Sequence, residues 1–113
     1  MNLDEYQQLA VRTAKRVDRK YDLTHAALGL SGEAGEFGDA IKKSVIYNKP
    51  LDEWNAIEEL GDILWYVALA SATLDVSMAE IAKMNIDKLR LRYPDQYTDT
   101  LAQKRLDKAG VLT

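Results

Sequence analysis

Two acidic pairs restrict this chain more than any other feature: Glu33 with Glu36, then Glu59 with Asp62, the members of each pair three residues apart. In an α-helix that spacing sets two carboxylates about 60° apart on one face, one turn above each other, so a pair can grip one object. Like charges that close repel, and two such pairs meeting in a small bundle need cations between them. Oxygen-only ligand sets favour hard ions, here Mg2+, with Mn2+ able to substitute. The acids therefore require helices, and a packing that brings the two pairs together.

The apolar spacing provides those helices. Leu3, Tyr6, Ala10, Val17 and Tyr21 predict an amphipathic first helix over Leu3 to Lys20. Asp22 is the expected N-cap of a second, running from about Leu23 to Tyr47. Gly29, Gly32, Gly35 and Gly38 recur within it, and each glycine costs roughly 1 kcal/mol relative to alanine. Either a backbone or ligand approaching beside Glu33 and Glu36, or tight helix packing alone, offsets that cost.

Asn48-Lys49-Pro50 breaks the pattern, and Asp52 can cap a third helix from about Glu53 to Leu74. Its expected core stripe is Ile57, Leu60, Leu64, Val67 and Leu74, with Glu59, Asp62 and Tyr66 on one flank. Beyond Asp62 it is apolar nearly all round, with Trp65 and Leu69 facing away from that stripe. A second subunit is expected against it, most simply across a two-fold axis. Antiparallel helices about a short loop would bring Glu36 and Glu59, which are about equally distant from Lys49, to one level.

Ser77-Met78-Ala79-Glu80 is a capping box opening a fourth helix that runs to Tyr93 and is stopped by Pro94. Met78, Ile81, Met84, Leu89 and Leu91 form a broad apolar face, with Asn85, Lys88 and Arg92 in its middle. A buried cation is costly unless paired, so Lys88 and Arg92 need an anion, either the carboxylates or a phosphate, unless their stems snorkel to the bundle end. Thr100 and Gln103 mark a short last helix, about Leu101 to Lys108, ended by Gly110. The sum is an all-α, four-helix bundle-like fold with a short extra C-terminal helix, in one domain over 1–113.

Composition removes several function classes. Net charge is −3, with 15 basic against 18 acidic residues, so no broad nucleic-acid footprint exists and any phosphate must be met locally. The absence of cysteine excludes disulfides, thiolate metal sites and a Cys nucleophile. Met-Asn-Leu-Asp-Glu-Tyr lacks the features of a signal peptide, and the longest apolar stretch, Ile63 to Leu74, is too short to span a membrane. A cytoplasmic protein with no membrane partner is expected. His25 is the lone histidine, so the ExxH pair of di-iron bundles is missing. Ser31 has no base arranged near it, and the glycine run lacks the Lys-Ser/Thr of a P-loop. Water activated by metal remains.

Other charged residues leave choices open. Glu58, four residues before Asp62, competes with Glu59 but lies farther from the core stripe. Asp39 suits an ion pair with Lys42 or Lys43, and Lys43, two turns after Glu36, either meets a phosphate oxygen or is a surface lysine.

Three segments together, Leu30-Ser-Gly-Glu33-Ala-Gly-Glu36, Glu58-Glu59-Leu-Gly-Asp62-Ile-Leu-Trp-Tyr66 and Asn85-Ile-Asp-Lys88-Leu-Arg-Leu-Arg92-Tyr-Pro94, resemble the MazG-like nucleotide pyrophosphohydrolases of the all-α NTP pyrophosphatase superfamily. The likeness covers about Thr24 to Pro94. It implies hydrolysis of a nucleoside triphosphate to monophosphate and pyrophosphate. Glu33, Glu36, Glu59 and Asp62 would hold Mg2+, water would attack the α-phosphorus, and Glu36 or Glu33 would take its proton. Lys88 and Arg92, with Asn85 and Lys43, would steady the phosphates. The resemblance also implies a homodimer or a homotetramer built as a dimer of dimers, and a base pocket drawing on the first helix and the partner subunit, with Trp54, Trp65, Tyr66 and His25 as candidate contributors. The base and sugar stay open. The competing reading is a non-enzymatic helical interaction or adaptor module, for which metal would leave stability unchanged.

Overall fold

The structure, a computed structural model, describes residues 1–108. Among them the regular structure is helical: α1 (Leu3–Val11), α2 (Arg19–Ile46), α3 (Glu53–Thr73), α4 (Met78–Arg92), α5 (Asp99–Lys104) and a 3-10 turn (Leu106–Lys108). Two compact units divide the chain, Met1–Met78 and Ala79–Thr113.

α1 opens on a capping box in which the Glu5 backbone N–H donates to Asn2 Oδ1 at 2.8 Å. It stops at Val11, well short of the expected Lys20. The cause is Asp22, which does not cap. Buried within the first turn of α2, its carboxylate accepts the Val17 backbone N–H at 3.0 Å and Arg16 Nε at 2.8 Å, drawing the preceding chain out of helical register. Asp18 caps α2 instead, accepting the Tyr21 N–H at 2.8 Å. The Arg16 hydrogen bond, followed by that from Val17, holds the Asp22 carboxyl below its usual range.

α2 and α3 pack as an antiparallel hairpin. Gly29 faces Tyr66, and one turn later Glu33 meets Glu59, so numbers rise along one helix as they fall along the other. Asp52 caps α3 as the sequence predicts, accepting the Asn55 N–H at 3.1 Å. Only Gly29 among the four spaced glycines of α2 explains itself: a Cβ there would collide with the Tyr66 ring. Gly32, Gly35 and Gly38 face open space.

The inward face of α3 is not the expected stripe. Ala56, Ala68, Leu69, Ser71 and Thr73 are buried, whereas Ile57, Leu60, Leu64 and Leu74 are exposed. Leu69 is 1% exposed, and Trp65, expected to face away, packs on the core of Ala10, Ala68 and Met78 together with Tyr6 and Val67. The smaller residues of α3 go inward because α1 also packs on this helix, and small side chains let it approach closely. Trp65 Nε1 donates to Thr13 Oγ1 at 2.7 Å, and Gln7 clasps the turn after α3, donating to the Val76 carbonyl at 3.0 Å while accepting the Met78 N–H at 2.7 Å. That turn relies on Asp75 at φ 57°, with the Val76 N–H closing on the Ser71 carbonyl at 3.0 Å.

In the second unit α4 ends at Arg92, one residue before the predicted stop. Its expected buried face is largely open: Ile81, Met84 and Leu91 are exposed, as are Asn85 and Lys88. The desolvation argument for an anion beside Lys88 therefore does not hold. α5 is capped by Thr98, which accepts the Leu101 N–H at 3.1 Å, and not by Thr100, because Thr98 is the residue in extended backbone conformation. The expected stop at Gly110 lies outside the described residues. No single helix among the described residues is long and apolar enough to cross a membrane.

Candidate active site

The hairpin brings Glu33 of α2 against Glu59 and Asp62 of α3, with one carboxylate oxygen of each lying within 4.8 Å of the others. Glu33 and Glu59 each keep a buried Oε2 with no hydrogen-bond partner. Their carboxyls contact each other, and that hydrogen bond, then burial, then the charges of Glu33, Glu36 and Asp62 push the Glu59 pKa up to about 7. Like groups held together, two of them with an unsatisfied buried oxygen, are what a hard divalent cation would relieve, so the donor set fits such an ion. Glu36 is exposed and stands outside the close trio, though near enough to act on Glu59 through its charge. Glu58 is exposed as expected, although the stripe from which its angle is measured is itself largely exposed.

α1 contributes a residue that periodicity alone assigned to packing. Burial first, and then the charge of Asp62, raise the pKa of the Tyr6 phenol. No motif marks it, since its nearness to Asp62 arises only when α1 docks on α3.

A cavity of about 340 Å3 adjoins the acids, lined by Glu33, Asp62, Trp65 and Tyr66. Beside it the rings of His25, Trp65 and Tyr66 meet edge to face, with centroids 4.9 to 6.1 Å apart. His25 Nδ1 is buried there without a hydrogen-bond partner. Trp54 does not join this cluster: it is exposed near the start of α3, about 16 Å along the helix from Trp65. A larger groove of about 690 Å3, between α1 and the turn after α3, is lined by residues such as Gln8, Arg12 and Asp75 and by none of the clustered acids.

The basic residues fall in several settings. Lys43 Nζ lies 2.8 Å from Asp39, an exposed i, i+4 pair, and Lys42 is 3.9 Å from the same carboxylate. Asn85 and Lys88 are exposed on α4. Arg92 is forked onto Asp107, Nε to Oδ1 at 2.9 Å and Nη2 to Oδ2 at 3.2 Å. No motif marks Asp107, whose only signal in the sequence is an acidic side chain following a basic helix end.

The hairpin and its acids define an all-α protein with a candidate divalent-metal centre. The model of the MazG nucleotide pyrophosphohydrolase domain matches residues 22–97, and the chain belongs to that family. It is also 36% identical over 103 residues to the Gene 37 protein of Mycobacterium phage L5, an alignment covering 81% of this chain and 89% of that one. No solved structure matches.

Proposed function

We propose that this protein is a Mg2+-dependent nucleoside triphosphate pyrophosphohydrolase, releasing a nucleoside monophosphate and pyrophosphate. The observation that carries this reading is the convergence of Glu33, Glu59 and Asp62, the first two each with a buried, unpartnered Oε2, in a chain of the MazG family. Glu33, Glu59 and Asp62, completed by Glu36, hold the cation, with Mn2+ able to replace Mg2+. A cation held there would neutralise the triphosphate and lower the pKa of a nearby water. Glu36, exposed and outside the close trio, takes the proton from the water that attacks the α-phosphorus. The bond from that phosphorus to the bridging oxygen breaks, and the electron pair leaves with pyrophosphate.

Asn85, Lys88 and Arg92 are assigned to the phosphates by their charge or donors and by the Asn-x-x-Lys-x-x-x-Arg pattern that resembles the family's, and Lys43 by its charge and its place two turns after Glu36. Exposed pairs such as Lys43 with Asp39 contribute only about 0–1 kcal/mol, so Lys43 can exchange partners easily. The rings of Trp65, Tyr66 and His25 offer stacking surface to a base. A second copy of the chain covers Ile57, Leu60 and Leu64, giving a homodimer or a dimer of dimers in the cytoplasm.

The test is a panel of canonical and modified (d)NTPs incubated with Mg2+, scored for monophosphate and pyrophosphate. Turnover that yields equimolar pyrophosphate, needs Mg2+ and is lost in Glu36→Gln supports the reading. No metal-dependent turnover across the panel sinks it.

A further inference from the structure

We propose that Asp107 is a positioning residue for Arg92, holding the guanidinium in one orientation so that it meets a substrate phosphate already aligned. This rests on the assignment of Arg92 to the phosphates made above. Arg92 sits in the last turn of α4, and a long side chain at a helix end samples many rotamers unless something fixes it. The Asp107 carboxylate fixes it through two parallel contacts, at 2.9 and 3.2 Å, which set the plane of the guanidinium as well as its place.

The two ends of this fork differ in exposure. The side chain of Asp107 is wholly shielded while that of Arg92 is 19% exposed, so the carboxylate is the anchor, and the guanidinium, which also meets the Tyr93 side chain, stays partly open to solvent. The fork engages Nε and Nη2 and leaves Nη1 outside it. Arg105 Nε stands 3.6 Å from the same Asp107 oxygen. Two guanidiniums thus share one carboxylate, and the group keeps a positive charge with which to attract an anion.

The backbone agrees with a constrained device. Arg105 occupies the left-handed region at φ 51°, uncommon for a residue with a side chain, and by ending α5 there it turns Asp107 toward Arg92. The hydrogen bond between the two is the first cause of the raised Arg92 pKa and of the Asp107 pKa held down to about 2.

The test uses the full chain and two readouts, KM and kcat for whichever triphosphate is turned over, and calorimetric binding of inorganic pyrophosphate with Mg2+. Asp107→Asn is expected to raise KM and weaken pyrophosphate binding about tenfold while kcat changes less than about twofold, with Asp107→Glu recovering part of the loss. The double variant Arg92→Ala/Asp107→Asn should be no worse than Arg92→Ala alone. Arg92→Lys, which leaves Asp107 intact and cannot fork, supplies a second reading if Asp107→Asn does not fold, and should also raise KM. Wild-type KM and pyrophosphate affinity in Asp107→Asn or Arg92→Lys, or tighter binding in either, overturns the positioning role while Arg92→Ala still weakens binding. Should Arg92→Ala itself leave both readouts unchanged, the assignment of Arg92 to the phosphates fails first, and this proposal with it.

Discussion

The acids of the α2–α3 hairpin and the Arg92–Asp107 pair are both clusters of partly buried charged groups, yet their electrostatics run in opposite directions. In the hairpin, Glu33 and Glu59 are pressed together with Asp62 close by, two oxygens have no partner, and Glu59 holds its proton far more tightly than a free carboxyl. At Asp107 two guanidiniums surround one carboxylate, which gives up its proton more readily than usual. One constellation is an excess of acid that a cation would relieve, while in the other the carboxylate is satisfied by the chain itself and the excess charge is positive. The difference teaches where to look for chemistry: a fold retains an unsatisfied buried cluster only if the rest of the hairpin over-determines it, and such clusters gather at functional sites.

The sharpest way to break this contrast is to neutralise one carboxylate in each region. Glu59→Gln should lower kcat/KM at least about 100-fold, a loss near 2.7 kcal/mol, and raise the melting temperature of the metal-free protein by removing a repulsion. Asp107→Asn should instead lower that temperature, because it strips a counter-ion from two guanidiniums. Equal signs in the two melts would end the comparison.

Magnesium itself comes next. At a free concentration about 100 times its dissociation constant it should stabilise the fold by about 2.7 kcal/mol, read as a melting shift on the order of 10 °C that Glu59→Gln reduces. The adaptor reading expects no shift.

Gly29 tests the hairpin that enforces the cluster. Gly29→Ala must push Tyr66 aside, and overpacking of this kind costs about 1–3 kcal/mol in chemical denaturation. Gly32→Ala meets open space and should gain up to about 1 kcal/mol of helix propensity. A loss at Gly32 instead would show that a second chain covers that face.

The smallest effect is acid titration of the satisfied pair. The folded Asp107 carboxyl lies below its unfolded value, so the stability it contributes is present above about pH 4 and is lost as pH falls through about 2. Carbon-13 shifts of Asp107 should follow that midpoint, and Arg92→Ala should move it upward, with Arg105 still holding the carboxyl down in part.

Much of the fold was legible locally. Asp52 capping α3 and the opening of α4 just after Ser77 are statements about neighbours in sequence, and the structure keeps both. The end of α1 was not legible, because it depends on where Asp22 finds Arg16 and the Val17 amide. Nor was Asp107, whose partner lies fifteen residues away across a change of direction.

The sequence by itself determined that helices form, that Glu33, Glu59 and Asp62 lie on facing segments of a hairpin, and that α3 carries more apolar surface than one packing face needs. Only tertiary structure decided which apolar face of α3 turns inward. Periodicity records how apolar residues are spaced around a helix, but the choice between Leu69 and Leu60 follows from how closely α1 and α2 can approach, a matter of side-chain volume and shape that the spacing does not contain.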